Sequence, residues 1–150
     1  MTNWTDVVFS SHYDAAVAIR EALDRGDTLD AMAGIEELIQ SMSRSEEHEL
    51  YTRLALLMAH VVKWKTQPPG TKSWRLTINE QRRQLARLRQ KAPRFTQERL
   101  ERDLWEVCLA HALAMAEDEM DCPPAVTRLS WEDVFETRYD ERENEPQTKP

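Results

Sequence analysis

The strongest apolar pattern in the chain lies between residues 46 and 67, EEHELYTRLALLMAHVVKWKTQ. Leu50, Leu54, Leu57, Val61 and Trp64 recur at intervals of four and three, so a helix carries them as one stripe. Tyr51, Ala55, Met58 and Val62 form a second stripe beside it. A helix apolar over that much of its circumference needs other helices around it, and the flanking pattern supplies them. Residues 12–25 place Ala16, Ile19 and Leu23 inward and stop at Gly26, which takes a left-handed C-cap without strain. Asp27 or Thr28 caps a second helix with Met32, Ile35, Ile39 and Met42 as its inner stripe. Ser43 and Glu46 have capping-box spacing, which suits either a break near 43–45 or one helix from 29 to 66. Pro68-Pro69-Gly70 ends that segment.

Ser73 caps the next helix, 74–91, whose stripe is Trp74, Ile78, Gln81, Leu85 and Leu88; Gln81 needs a polar partner or a place at the edge. Pro93 ends it, and Thr96 opens a helix over 97–119 with Leu100, Leu104, Val107, His111, Ala114 and Met115 inward. Ser130 and Asp133 open a short last helix through Trp131, Val134 and Phe135. The expected architecture is all-α, a single-domain bundle of five or six amphipathic helices around the central apolar one, spanning 1–137. Residues 1–11, with Trp4, Val7, Val8 and Phe9, read as an apolar arm, and 138–150 as a disordered acidic tail.

Composition agrees with a helical core. Hydrophobic residues make up 41% of the 150 residues, and only 3 are Gly. The net charge of −7 opposes a global field for nucleic acid. The first basic residue is Arg20, so no charged start precedes an apolar run, and no apolar run is long enough to span a bilayer; a cytoplasmic location is expected. Cys108 and Cys122 would sit about 21 Å apart on a continuous helix, too far for a disulfide, and read as reduced thiols.

Four constellations could carry chemistry. Between Lys72 and Lys91, seven basic residues face a single acid, Glu80; Arg75, Arg82 and Arg89 share one face, Arg83 and Arg87 another. Such a helix can grip phosphates, or pair with acids such as Glu36, Glu37 and the 117–121 cluster. Arg53 and His60 lie seven apart and point the same way, about 10.5 Å apart along the axis. Their spacing is similar to the Arg-to-His motif of HEPN-type ribonucleases, which implies His as general acid or base and Arg on the charged phosphorane; Leu54 stands where that motif usually has a polar residue. Cys108 and His111 have ligand-like spacing, but zinc needs three or four ligands, so no metal is assigned. Finally, Trp64 and Trp74 flank the Pro-Pro-Gly turn beside Lys63, Lys65, Lys72 and Arg75, a corner that could hold an anionic ligand or a partner segment, or simply pin the turn. No Gly-rich phosphate loop, GxSxG, HExxH or paired CxxC is present, and no cofactor is expected.

The run HVVKWKTQPPGTKSWRLTINEQRR, residues 60–83, together with IEELIQSMSRSEEHELYTRL, residues 35–54, resembles a bacterial family, the domain-of-unknown-function family number twenty-nine. The resemblance covers residues 12–135 and implies an all-helical domain without implying an activity. The chain departs from the family pattern at Leu38 and Gln40, where acids are common, and after Tyr13, where Asp14 and Ala15 replace a Trp. The expected role is a protein-binding accessory or regulatory module, with Lys63, Trp64, Trp74, Arg75, Arg82 and Arg83 toward the partner. The alternative is a nucleic-acid-acting protein, either an RNA or DNA binder through 72–91 or a ribonuclease using Arg53 and His60.

Overall fold

A computed structural model describes residues 2–142. The chain is all-α, and its described residues form seven helices: α1 (Trp4–Ser10), α2 (His12–Asp24), α3 (Thr28–Thr66), α4 (Lys72–Lys91), α5 (Gln97–Asp103), α6 (Trp105–Met120) and α7 (Trp131–Phe135). The apolar arm is itself helical, and the expected helix over 97–119 is two helices. Ser43 does not break the chain; α3 runs through it without interruption. The fold divides into two compact units, Met1–His48 and Glu49–Pro150, with α3 contributing to both.

In the first unit, short polar side chains set the helix starts. Asn3 caps α1, and the Ser11 hydroxyl accepts from the Asp14 amide at 3.1 Å to cap α2. Gly26 takes the left-handed conformation (φ +77°) after α2, and Asp27 accepts from the Asp30 amide at 3.2 Å as α3 begins. Trp4, Ile19, Ala22 and Ala31 make the core. Gly34 lets the helices approach closely: a Cβ there would lie 2.8 Å from both Ile19 and the Trp4 ring. Asp30, 8% exposed, accepts from Trp4 Nε1 at 2.8 Å and from the Thr2 hydroxyl at 2.7 Å. Those bonds, the Thr2 one foremost, hold its carboxyl below the usual carboxylate range.

Two inner stripes fall elsewhere than the sequence pattern implies. Ala15, Ile19 and Ala22 are buried on α2, whereas Ala16 and Leu23 are exposed. On α3, Met32, Ile35, Ile39 and Met42 are 61%, 43%, 56% and 46% exposed. The face that meets α1 and α2 carries Ala31 and Gly34, because close helix packing selects small side chains. The bulky stripe is left exposed on the adjoining side of the helix.

The second unit holds the larger core. α3 supplies Leu50, Leu54, Leu57, Met58, Val61, Val62 and Trp64; α4 adds Ile78, Leu85 and Leu88; Phe95, Leu100, Leu104, Cys108, Leu129 and Val134 complete it. Thr71, rather than the expected Ser73, caps α4 by accepting from the Trp74 amide at 3.1 Å. Thr96 caps α5, and Ser130 with Asp133 forms the expected capping box on α7. The break at Leu104 shifts the register of the residues after it: Trp105, Cys108, Ala112 and Ala116 turn inward, while Val107, His111 and Ala114 are exposed.

Ordered structure also continues past 137. Tyr139 is 8% exposed and packs against Trp64 with ring centroids 5.7 Å apart. Residues 143–150 of the expected tail lie outside the described residues.

Candidate functional site

α4 sorts its cations by face. Ile78, Leu85 and Leu88 are buried, and Arg75, Arg82 and Arg89, seven apart, run alongside them as the spacing implies. Each reaches across to its own chain. Arg75 forms a bidentate pair with Glu141, at 2.6 and 3.1 Å. Arg82 donates to the Val134 carbonyl at 2.8 Å and to the Asp133 carbonyl at 3.4 Å, and its guanidinium lies 5.5 Å from the Tyr139 ring centroid. Arg89 donates to the Phe95 carbonyl at 2.9 Å and sits 5.3 Å from the Trp131 ring centroid.

The chemistry behind the Arg82 contact is specific. A five-residue helix leaves most of its carbonyls without intrahelical donors. Arg82 and the Tyr139 hydroxyl, which donates to the Asp133 carbonyl at 2.6 Å, supply donors at that end of α7. Burial lowers the Arg82 pKa from its ordinary value. Burial, with the Asp133 charge adding to it, pushes the Tyr139 phenol up to about 12.

The turn between α3 and α4 is closed by aromatic packing. Trp64 is 4% exposed and lies so close to Gly70 that a Cβ there would run into its ring. Lys63, 5% exposed, pairs with Glu119 at 2.5 Å, and its ammonium lies 5.0 Å from the Trp74 ring centroid. The Lys63 hydrogen bond lowers the Glu119 pKa. Glu119 of the 117–121 cluster thus pairs with a lysine of α3 rather than with the basic helix 72–91. Of the corner residues expected to face a partner, Lys63 and Trp64 are buried, Trp74, Arg75 and Arg82 are half-buried, and Arg83 is exposed.

The outer face of α4 is different. Lys72, Ser73, Leu76, Thr77, Glu80 and Gln81 line an open hollow of about 450 Å³, with Leu76 50% exposed. Glu80 accepts from Arg83 at 2.6 Å and from Gln84 at 2.8 Å, and these bonds, with the Arg83 and Arg87 charges, hold its carboxyl below the usual range.

Arg53 and His60 both lie on α3, and both are half-buried. Arg53 Nε donates to Glu49 at 3.1 Å and its Nη1 to Gln81 at 3.3 Å, which gives Gln81 the polar partner it needs. His60 Nδ1 donates to the Leu56 carbonyl at 3.0 Å, leaving Nε2 as the basic nitrogen. Burial lowers its pKa below 6.5, partly offset by the Leu56 bond. Cys108 is buried, its thiol donating to the Tyr51 carbonyl at 3.6 Å and pushed up to about 12 by burial. His111 faces outward to the Tyr51 hydroxyl at 3.1 Å. Among the described residues, no group of three His, Cys, Asp or Glu is placed to hold a metal ion.

Sequence reasoning missed Tyr139 and Glu141 as partners of this region. Tyr139 had one signal, a lone aromatic within a charged segment. Glu141 had none, because its pairing with Arg75 spans 66 positions. No curated protein and no solved structure matches the chain. Residues 14–140 match the family model described as "Domain of unknown function DUF29", and the chain, all-helical and carrying that signature through its α3–α4 corner, belongs to the DUF29 family.

Proposed function

We propose that the chain is a protein-binding module that engages its partner through the outer face of α4. The observation that carries this reading is the two-sided use of the helix. Its inner arginines are committed to carbonyls and a carboxylate of the same chain. Its outer face offers Leu76 between Lys72, Glu80 and Arg83, an apolar centre with both charge signs around it. Phosphate tracks need unopposed cations, whereas here Glu80 offsets Arg83 and Arg87. A mixed polar rim around an apolar residue suits a protein surface. Within the expected corner, Arg83 remains the contact residue, while Lys63, Trp64, Trp74, Arg75 and Arg82 support it from beneath.

The alternative reading, a nucleic-acid-acting protein using Arg53 and His60, draws on the basic Nε2 of a half-buried His60. It has less support, because Glu49 already engages the Arg53 guanidinium.

One capture experiment from host lysate at low salt, with and without nuclease, separates these readings. It compares the wild-type chain with Leu76→Glu/Arg83→Glu. The expected result is a protein that survives nuclease and is lost with the variant. Recovery of nucleic acid alone, or of the same proteins by both chains, contradicts the α4 assignment. Nucleic acid lost on His60→Ala together with cleavage activity establishes the alternative.

A further inference from the structure

The outward stripe of α3 is an apolar surface of defined spacing. Met32, Ile35, Ile39 and Met42 step by three, four and three, the a/d repeat of a coiled-coil seam. Leu29, 82% exposed, widens it at one end. All five lie in the first unit, on a side of α3 that adjoins the face that Ala31 and Gly34 give to α1 and α2. We infer that this seam is the interface of a homodimer, in which α3 of one chain packs on α3 of a second copy.

Three features favour a second copy over another occupant. First, a seam with heptad spacing is complementary to itself: each knob finds a hole among four residues of an identical helix. Second, the flanking positions carry little charge. In the register that puts Met32 and Ile39 at a, Ala31 and Leu38 on one flank pack on the core of their own chain, and the open e and g positions are Glu36, Ser43 and Ser45. Glu36 is the one charge among these open positions, so nothing there selects a partner of opposite charge. Third, the area suffices. The exposed fractions of the five side chains amount to roughly 500 Å² per copy, or about 1,000 Å² for the pair, which reaches the size of a specific interface. Such a patch is also at the upper end of what a monomer leaves bare.

Because each chain carries a net charge of −7, added salt screens the repulsion between copies and strengthens the association, the opposite of a charge-driven complex.

Sedimentation equilibrium of the full chain over a wide concentration range, at low and high salt, tests this. The wild-type chain is expected to reach the mass of two chains, more readily at high salt. Ile35→Glu/Ile39→Glu weakens association about a hundredfold or more and leaves the helical circular dichroism unchanged, since both side chains are already exposed. Ile39→Ser serves as a milder variant if the double change disturbs folding, and is expected to weaken the dimer less. A wild-type chain that stays monomeric throughout overturns the inference. So does a dimer that both variants retain, or a different protein co-purifying on the seam in place of the second copy.

Discussion

At the residue scale, Asp30 shows how one buried carboxylate organises a small core. It binds the Trp4 indole and the Thr2 hydroxyl, and its pKa falls below 3.8 as a result. A carboxylate with a depressed folded pKa adds stability that is fully present above the unfolded value, and loses it as the pH falls through the folded value. Asp30→Asn should therefore lower Tm at neutral pH and flatten the loss of stability below about pH 3.8, in thermal unfolding followed by tryptophan fluorescence. An unchanged acid limb would show that the carboxylate makes no such contribution. His60 obeys the same sign. Burial depresses its pKa, so its contribution is complete above 6.5 and declines as the pH falls through the folded value. An NMR titration should place the imidazole below 6.5, with Nδ1 protonated in the neutral ring; a value at or above 6.5 contradicts the burial argument. Asp30 was not legible as a buried group in the sequence. It depends on a neighbour that only tertiary packing supplies, Trp4.

At the element scale, three caps could be read locally while Thr71 displaced Ser73 at α4, and the helix faces followed the pattern in α4 and the second half of α3 but not in α2, the first half of α3 or α6. Ser11, Thr96 and the Ser130–Asp133 box behave as their residue types dictate, because a cap is settled within three residues. The inner face of α3 before Ser43 was misread because two faces compete there, and the smaller residues won the contact. Gly34→Ala isolates that competition. Ala favours a helix over Gly by about 1 kcal/mol, but overpacking against Ile19 and Trp4 costs about 1–3 kcal/mol, so a net loss of about 1 kcal/mol is expected in denaturant unfolding. A gain would show that the helices separate freely. The misread register of α6 has another cause. Nothing in the sequence near Leu104 marks a break, yet its backbone leaves the helix (φ −120°, ψ −25°) and rotates every later position. The row of Arg75, Arg82 and Arg89 was legible as a row but not as to its target. Arg82→Ala should cost about 2 kcal/mol, as expected for a charge-assisted donor to partly buried carbonyls, while Arg83→Ala, exposed beside Glu80, should be close to neutral in the same denaturation assay.

At the scale of the whole molecule, the two units use their exposed features differently. The first leaves an apolar seam bare; the second turns a basic helix toward its own C-terminal segment. The all-α class followed from periodicity and from the scarcity of Gly. The burial of Tyr139 did not, because the charged sequence after Arg138 has no apolar periodicity to announce it. Among the described residues, no helix is long and apolar enough to cross a membrane. Protein binding through α4 requires that helix to face two ways, and hydrogen exchange of the full chain with Arg82→Ala and with Arg83→Ala measures this most directly. If the inner row holds the C-terminal segment, Arg82→Ala speeds exchange across residues 131–142, and Arg83→Ala leaves that segment as protected as in the wild type. Unchanged protection in Arg82→Ala, or equal loss in both variants, would mean that α4 does not hold the segment and that its arginines remain available to an outside partner.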